Sequence, residues 1–260
     1  MKLRVLLTLV LTLISQSRFG AHAQEVSPSL AQEASQKQKP DEITQNLERI
    51  KSKLPAERRD AIDKLADSGD PRAVEPLIAA LKDQEGDVRA SAANGLGELA
   101  DKRAVAPLIS MLNDEVSFVR AAAARVLGQL GDARGVDPLT GALRDGNSTV
   151  RGAAAMGLGS LKEVRAVPAL IAAVRDEAPD VRSAVAAALG DLRDKQAVTP
   201  LIQTLKDEYR MVKLAAALAL ADIGDKRAVP ALTEAVTSEK DEETRAQMKE
   251  ALQRLMASPD

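Results

Sequence analysis

The sequence predicts an all-α solenoid of about seven helical hairpins, and two observations carry that prediction. The first is a fixed period. Arg89 is followed by Arg120, Arg151, Arg182 and Lys213, each 31 residues after the last. A repeat of roughly 20–50 residues marks stacked units that bury their apolar faces only against neighbours. The second is composition. Ala, Leu and Val dominate, while the chain holds two Phe, one Tyr and no Trp, which suits helices packed through small side chains.

Residues 1–23 read as a secretory signal peptide. Lys2 and Arg4 precede an apolar run from Val5 to Ile14, and Ala21-His22-Ala23 supplies a small-residue cleavage site before Gln24. The run is about half of the roughly 20 residues that span a bilayer, so no membrane span is expected after cleavage. Loss of Lys2, Arg4 and Arg18 leaves 33 basic against 38 acidic residues, a net charge of −5. The mature chain then has no Cys and no His, so packing rather than disulfides must hold it together after export. The expected location is periplasmic or secreted. Residues 24–40, rich in Ser, Gln, Ala, Glu and Lys without apolar periodicity, are expected to be a disordered linker.

The repeat array is expected over residues 41–256. Asp41 caps a first helix to Leu54, whose Ile43, Leu47, Ile50 and Leu54 form one stripe. Pro55 ends it, and Glu57 to Asp67 gives a second helix with Ala61, Ile62 and Leu65 inward. One dry face and polar outer faces make residues 41–67 an N-terminal cap. Six further units lie near 70–99, 101–130, 132–161, 163–192, 194–223 and 225–255. In the first of these, Val74, Leu77, Ile78 and Leu81 line one face of the first helix, and Val88, Ala92, Leu96 and Leu99 one face of the second. A Pro recurs at Pro76, Pro107, Pro138, Pro168, Pro200 and Pro230, so the regular helix begins near it after a tight turn, or kinks there. Small residues flank the second helices at Ala93, Ala124, Ala155, Ala186 and Ala217, and at Gly97, Gly128, Gly159 and Gly190. They let neighbouring second helices lie close, with these helices on the inside of the curve. The last unit, residues 225–256, is a C-terminal cap in which Ser238 replaces the recurrent Asp and Arg245 falls one residue late.

That Asp precedes the recurrent base by six residues, giving Asp83/Arg89, Asp114/Arg120, Asp145/Arg151, Asp176/Arg182 and Asp207/Lys213. The spacing points to a ladder in which each Asp accepts backbone N–H groups at the start of the second helix and pairs with the base. Its uniformity favours a structural role over an anion track.

The segments RAVEPLIAALKD…DVRASAANGLGEL and RAVPALIAAVRDEAPDVRSAVAAALGDL resemble HEAT repeats, most closely the short type first associated with phycobilisome lyase subunits. The resemblance covers residues 41–256 and implies a right-handed superhelix of helical hairpins. It fixes no function, because such repeats serve as scaffolds, adaptors and occasional enzymes. Deoxyhypusine hydroxylase, one enzyme with these repeats, holds iron through His-Glu pairs, which a chain without mature His does not supply.

The residues point away from catalysis. The chain after residue 23 has no Cys nucleophile, no His base for a Ser or Thr, no Cys or His for zinc or copper, and no Gly-rich phosphate loop. Neither a catalytic residue, a metal nor a cofactor is expected, and an acidic chain poor in aromatics fits nucleic acid badly. Recognition is the remaining chemistry. On the second helices, the positions opposite the core change freely between units: Phe118 and Arg125, then Met156, then Asp191, then Met211, Leu214, Leu218 and Asp222. Met211, Leu214 and Leu218 make an apolar stripe bordered by Asp191 and Asp222, which suits a basic, amphipathic protein or peptide. The alternative is that these side chains fill gaps between neighbouring helices. The expectation is a monomeric, exported, non-catalytic scaffold, or else a lyase-like or chaperone-like accessory subunit of a maturation complex.

Overall fold

The computed structural model describes residues 41–258. The signal peptide and the linker expected over residues 1–40 lie outside them. Among the described residues there are fourteen α-helices and no strand, and no helix is long and apolar enough to cross a membrane. The helices pair into seven hairpins: α1 (Glu42–Arg49) with α2 (Pro55–Asp67), α3 (Val74–Ala80) with α4 (Gly86–Leu99), α5 (Val105–Met111) with α6 (Ser117–Gln129), α7 (Val136–Ala142) with α8 (Ser148–Leu161), α9 (Val167–Ala173) with α10 (Pro179–Leu192), α11 (Val198–Thr204) with α12 (Arg210–Ile223), and α13 (Val229–Ser238) with α14 (Glu242–Ala257).

Sequence dictates the ends of these helices. Asp41 caps α1, accepting the Thr44 N–H at 2.7 Å. α1 then stops at Arg49, short of the expected Leu54. Pro55 is the first residue of α2, and the residue before a proline is driven out of the helical region. Leu54 is accordingly extended and exposed, and it leaves the apolar stripe. Each later first helix is preceded by a single 3-10 turn such as Pro71–Ala73, so the recurrent Pro falls in the second or third helical position. No intrahelical donor is lost there, and no kink is needed.

The apolar stripes meet in one continuous core. Leu77, Leu96, Leu108, Leu127, Leu139, Leu158, Leu170, Leu189, Leu201 and Leu220 are fully buried, each burial stabilising the fold by about 1.5–3 kcal/mol. Each second helix from α4 to α10 packs directly on the second helices before and after it, whereas α3, α5, α7, α9 and α11 touch the 3-10 turn of the following hairpin. The array is therefore tighter on the second-helix side and curves toward it. Glycine makes this possible in the middle of the array: a Cβ on Gly128 would lie 2.5 Å from the Gly157 Cα, and one on Gly159 2.9 Å from the Ala188 Cα.

Candidate functional site

Two rows of side chains run along the array at the hairpin period, one at the turn between helices and one on the exposed face of the second helices.

The turn row is the Asp–Arg ladder, and its wiring differs from the expected one. Arg89 does not pair with Asp83 six residues upstream. Its guanidinium instead grips Asp114 of the next hairpin through Nε and Nη2 at 2.7 and 2.8 Å, while Nη1 donates to the Asp83 carbonyl at 2.9 Å. The same fork joins Arg120 to Asp145, Arg151 to Asp176, and Arg182 to Asp207. The local reason is that each Asp first closes its own turn, as when Asp114 accepts the Val116 N–H at 2.9 Å. Its carboxylate then faces the preceding hairpin. Both partners are largely buried; Arg151 keeps 8% of its side-chain surface and Asp176 10%.

Burial alone would raise the pKa of Asp114. The hydrogen bonds from Arg89, the Val116 N–H and the charges of Arg89 and Arg120 outweigh it, so the carboxyl sits below its ordinary value. The same balance holds Asp83, Asp176 and Asp207 down. At Asp145 the Arg120 hydrogen bond is the largest influence.

The ladder ends are adapted. Arg58 opens it by pairing with Asp83 at 2.6 Å. Ser52 occupies the acid position of that first hairpin, where no upstream Arg exists. It keeps the turn, its hydroxyl accepting the Leu54 N–H at 3.2 Å, and lacks the charge. At the far end the acid is Glu239, which pairs with Lys213. The expectation that Ser238 replaces the acid is thus corrected. Acid and base both shift by one residue, and Arg245 Nη1 still donates to the carbonyl six residues upstream, that of Glu239, at 3.2 Å. One aromatic joins the row: Arg182 lies over the Tyr209 ring, 5.5 Å from its centre.

A second charged row was not singled out from the sequence. Asp70/Arg72, Asp101/Arg103, Asp132/Arg134 and Asp225/Arg227 each close a 3-10 turn, the Asp accepting both the backbone N–H and the guanidinium of the Arg two residues on. The repeated Asp-x-Arg spacing was the available signal.

On the second-helix face, the expected exposure holds for most positions. Phe118 is 48% exposed, Met156 52%, Met211 50% and Leu218 37%. Leu214 departs from the expectation: it is half-buried and packs on the core. Its column, shared with Ala121, Gly152 and Ser183, lies deeper than the columns of Met211 and Leu218. Phe118 turns away from the others, its ring tip sitting over Gly86 at the start of α4. Arg125 donates to Asn94 Oδ1 at 2.6 Å. Asp222 pairs with Arg254 of the last helix. Asp191 is exposed and has neither an ion pair nor a hydrogen bond among the described residues. The structure thus groups Met211 and Leu218 on one exposed helix face, with Asp191 and Asp222 in the last turns of α10 and α12, beyond Leu218. Among the described residues no group of three or more His, Cys, Asp or Glu is gathered in a way that could hold a metal ion.

The model for HEAT repeats matches residues 43–124, 118–186 and 167–253. This chain belongs to the HEAT-repeat family. Solved structures agree on the fold. The complex of CpcE and CpcF of phycocyanin lyase from Nostoc sp. PCC7120 aligns over 93% of this chain and 99% of that chain, with 21% identity and a TM-score of 0.56. A structure of Kap95p bound to RanGDP aligns over 84% of this HEAT-repeat chain but 36% of its own, with 14% identity and a TM-score of 0.65. At these identities the likeness is one of fold. No curated protein matches the chain.

Proposed function

We propose that this HEAT-repeat chain is an exported, non-catalytic scaffold that holds a protein or peptide on the face formed by its second helices. One observation carries the reading: Met156, Met211 and Leu218 stand exposed on that face, on hairpins whose core leucines Leu139, Leu158, Leu201 and Leu220 are fully buried. Exposed apolar side chains gathered on one face mark an interaction surface. The unpaired acids Asp180 and Asp191 on that face favour a basic, amphipathic partner over an acidic one. The absence of Cys, and of His beyond His22, supports binding rather than covalent chemistry. The leader-like residues 1–23 support export.

The test is affinity capture with the full chain from the exported fraction, compared with Met211→Glu/Leu218→Glu. Leu214 is unsuitable because it packs on the core. The double variant is expected to melt close to wild type and to lose the captured protein. Retention of the same protein by the variant sinks the reading. The overlap in fold with the CpcE/CpcF complex favours, as a second reading, an accessory subunit of a maturation enzyme; a captured protein carrying a covalently attached cofactor supports it. N-terminal sequencing of exported material is expected to begin at Gln24, and a retained Met1 overturns export.

A further inference from the structure

At one position of each second helix the middle hairpins carry Met156, Ala187 and Leu218 in succession. All three are exposed, so large, small and large side chains stand side by side on α8, α10 and α12. α10 is thus the floor of a trough whose walls are Met156 on one side and Met211 and Leu218 on the other. Ser183, one turn before Ala187, keeps the floor low. Adjacent packed helices lie about 8–10 Å apart, so the walls are carried by helices about 16–20 Å apart. That admits one more helix, about 10 Å across, lying along α10.

Both ends of the floor are acidic. Asp180 sits in the first turn of α10 and Asp191 in the last, and neither has an ion pair or hydrogen bond among the described residues. Asp180 suits a helix N-terminus. Asp191 does not suit a C-terminus: a carboxylate there opposes the helix dipole, and the last turn of α10 holds no base. The next hairpin shows how this position is satisfied. Asp222, 31 residues on, takes the guanidinium of Arg254 from α14. Beside Asp191 the corresponding neighbour is Asp222 itself, so that column supplies no cation.

Resting on the reading of this face as a docking surface, we propose that the trough receives an amphipathic α-helix of the partner. That helix carries two basic side chains eleven residues apart, one for Asp180 and one seated on Asp191 as Arg254 is seated on Asp222. Eleven residues of helix span about 16 Å, matching the same count along α10. An extended segment would need its bases about five residues apart.

The test uses synthetic 18-residue helical peptides of Ala, Leu and Gln. One carries Arg at positions 4 and 15, a second Arg at 4 and 9, and a third Gln at 15. Binding to the full chain is measured by fluorescence anisotropy at low and high salt. The first peptide is expected to bind tightest, and Ala187→Leu, which fills the trough on an exposed position, to weaken it about tenfold. Asp191→Asn is expected to weaken the first peptide about three- to fivefold and to leave the Gln peptide unchanged. Equal binding of the second peptide, no loss with Ala187→Leu, or no binding of the first peptide overturns the proposal. If Met211→Glu/Leu218→Glu still abolishes capture of the natural partner, those outcomes leave the docking face intact and remove only the helix in the trough.

Discussion

Arg151 and Asp145 stand six residues apart in one hairpin, yet their side chains do not pair; of Asp145, Arg151 Nη1 reaches only the backbone carbonyl, at 3.0 Å. Arg151 holds Asp176 of the following hairpin at 2.7 and 2.8 Å, and Asp145 is held from behind by Arg120. The ladder is therefore a set of clamps between hairpins, which strengthens the nearest-neighbour interfaces on which a solenoid depends. Arg151→Ala strands the Asp176 carboxylate and is expected to cost roughly 2–4 kcal/mol, just under the loss for a fully buried pair. In double-mutant cycles followed by urea unfolding, Arg151 should couple to Asp176 by about 1–3 kcal/mol and only weakly to Asp145. Stronger coupling to Asp145 would contradict the wiring.

That wiring was not legible in the sequence, for a simple reason. The acid six residues before Arg151 and the acid 25 residues after it occupy the same column of the repeat, so periodicity cannot tell one from the other. Side-chain geometry decides, because the Asp must also accept the N–H two residues on. The hairpins themselves were legible because a strict period fixes which faces are apolar. Leu54 was misplaced because it continues the spacing of Ile50, while Pro55 forces its backbone out of the helix. On the second-helix face, Met211 and Leu218 are exposed as their spacing predicts. Leu214 is not, since three residues from Met211 turn a side chain toward the seam between helices.

Helix ends offer an independent test. The αL residue that terminates a second helix is glycine at Gly69, Gly131 and Gly224, but Ala100, Lys162 and Arg193 hold φ of 52, 54 and 52° without being glycine. A Cβ is strained there. Ala100→Gly, Lys162→Gly and Arg193→Gly are each expected to stabilise the array by about 0.5–1 kcal/mol, and Gly131→Ala to destabilise it by more. The sites lie in different hairpins and should add. Denaturation midpoints check the sign, and a loss of stability in all three glycine variants would refute the strain.

Acid should loosen the array through the same carboxylates that order it. The hydrogen bonds from the Arg227 guanidinium and backbone N–H hold Asp225 down to about 2, against an ordinary 3.8. The ladder carboxyls are lowered as well. A lowered folded-state pKa gives stability that is fully present above the unfolded value and is lost as pH falls through the folded one. Urea midpoints should therefore be flat from pH 7 to about 5 and fall between about 4 and 2. Asp225→Asn should begin lower and fall less steeply. Equal slopes for variant and wild type would show that this turn is not a source of the acid sensitivity.

The closest approach of two second helices is also the sharpest place to test what sets the curvature. A Cβ on Gly128 would meet the Gly157 Cα at 2.5 Å and its carbonyl oxygen at 2.9 Å. Both are backbone atoms, so relief requires α6 and α8 to separate. Gly152 lies within α8 with nothing near its missing Cβ. The two glycines thus predict opposite outcomes for one substitution. Gly128→Ala is expected to cost about 1–3 kcal/mol as an overpacked seam. Gly152→Ala should gain about 0.5–1 kcal/mol, because the helix interior loses its least favourable ordinary residue. Spreading the α6–α8 seam would also shift the Phe118 and Met156 columns relative to each other. Small-angle scattering on Gly128→Ala should therefore report a changed radius, while Gly152→Ala superposes on wild type. If both variants move stability in the same direction, close approach is not what keeps glycine in the seam.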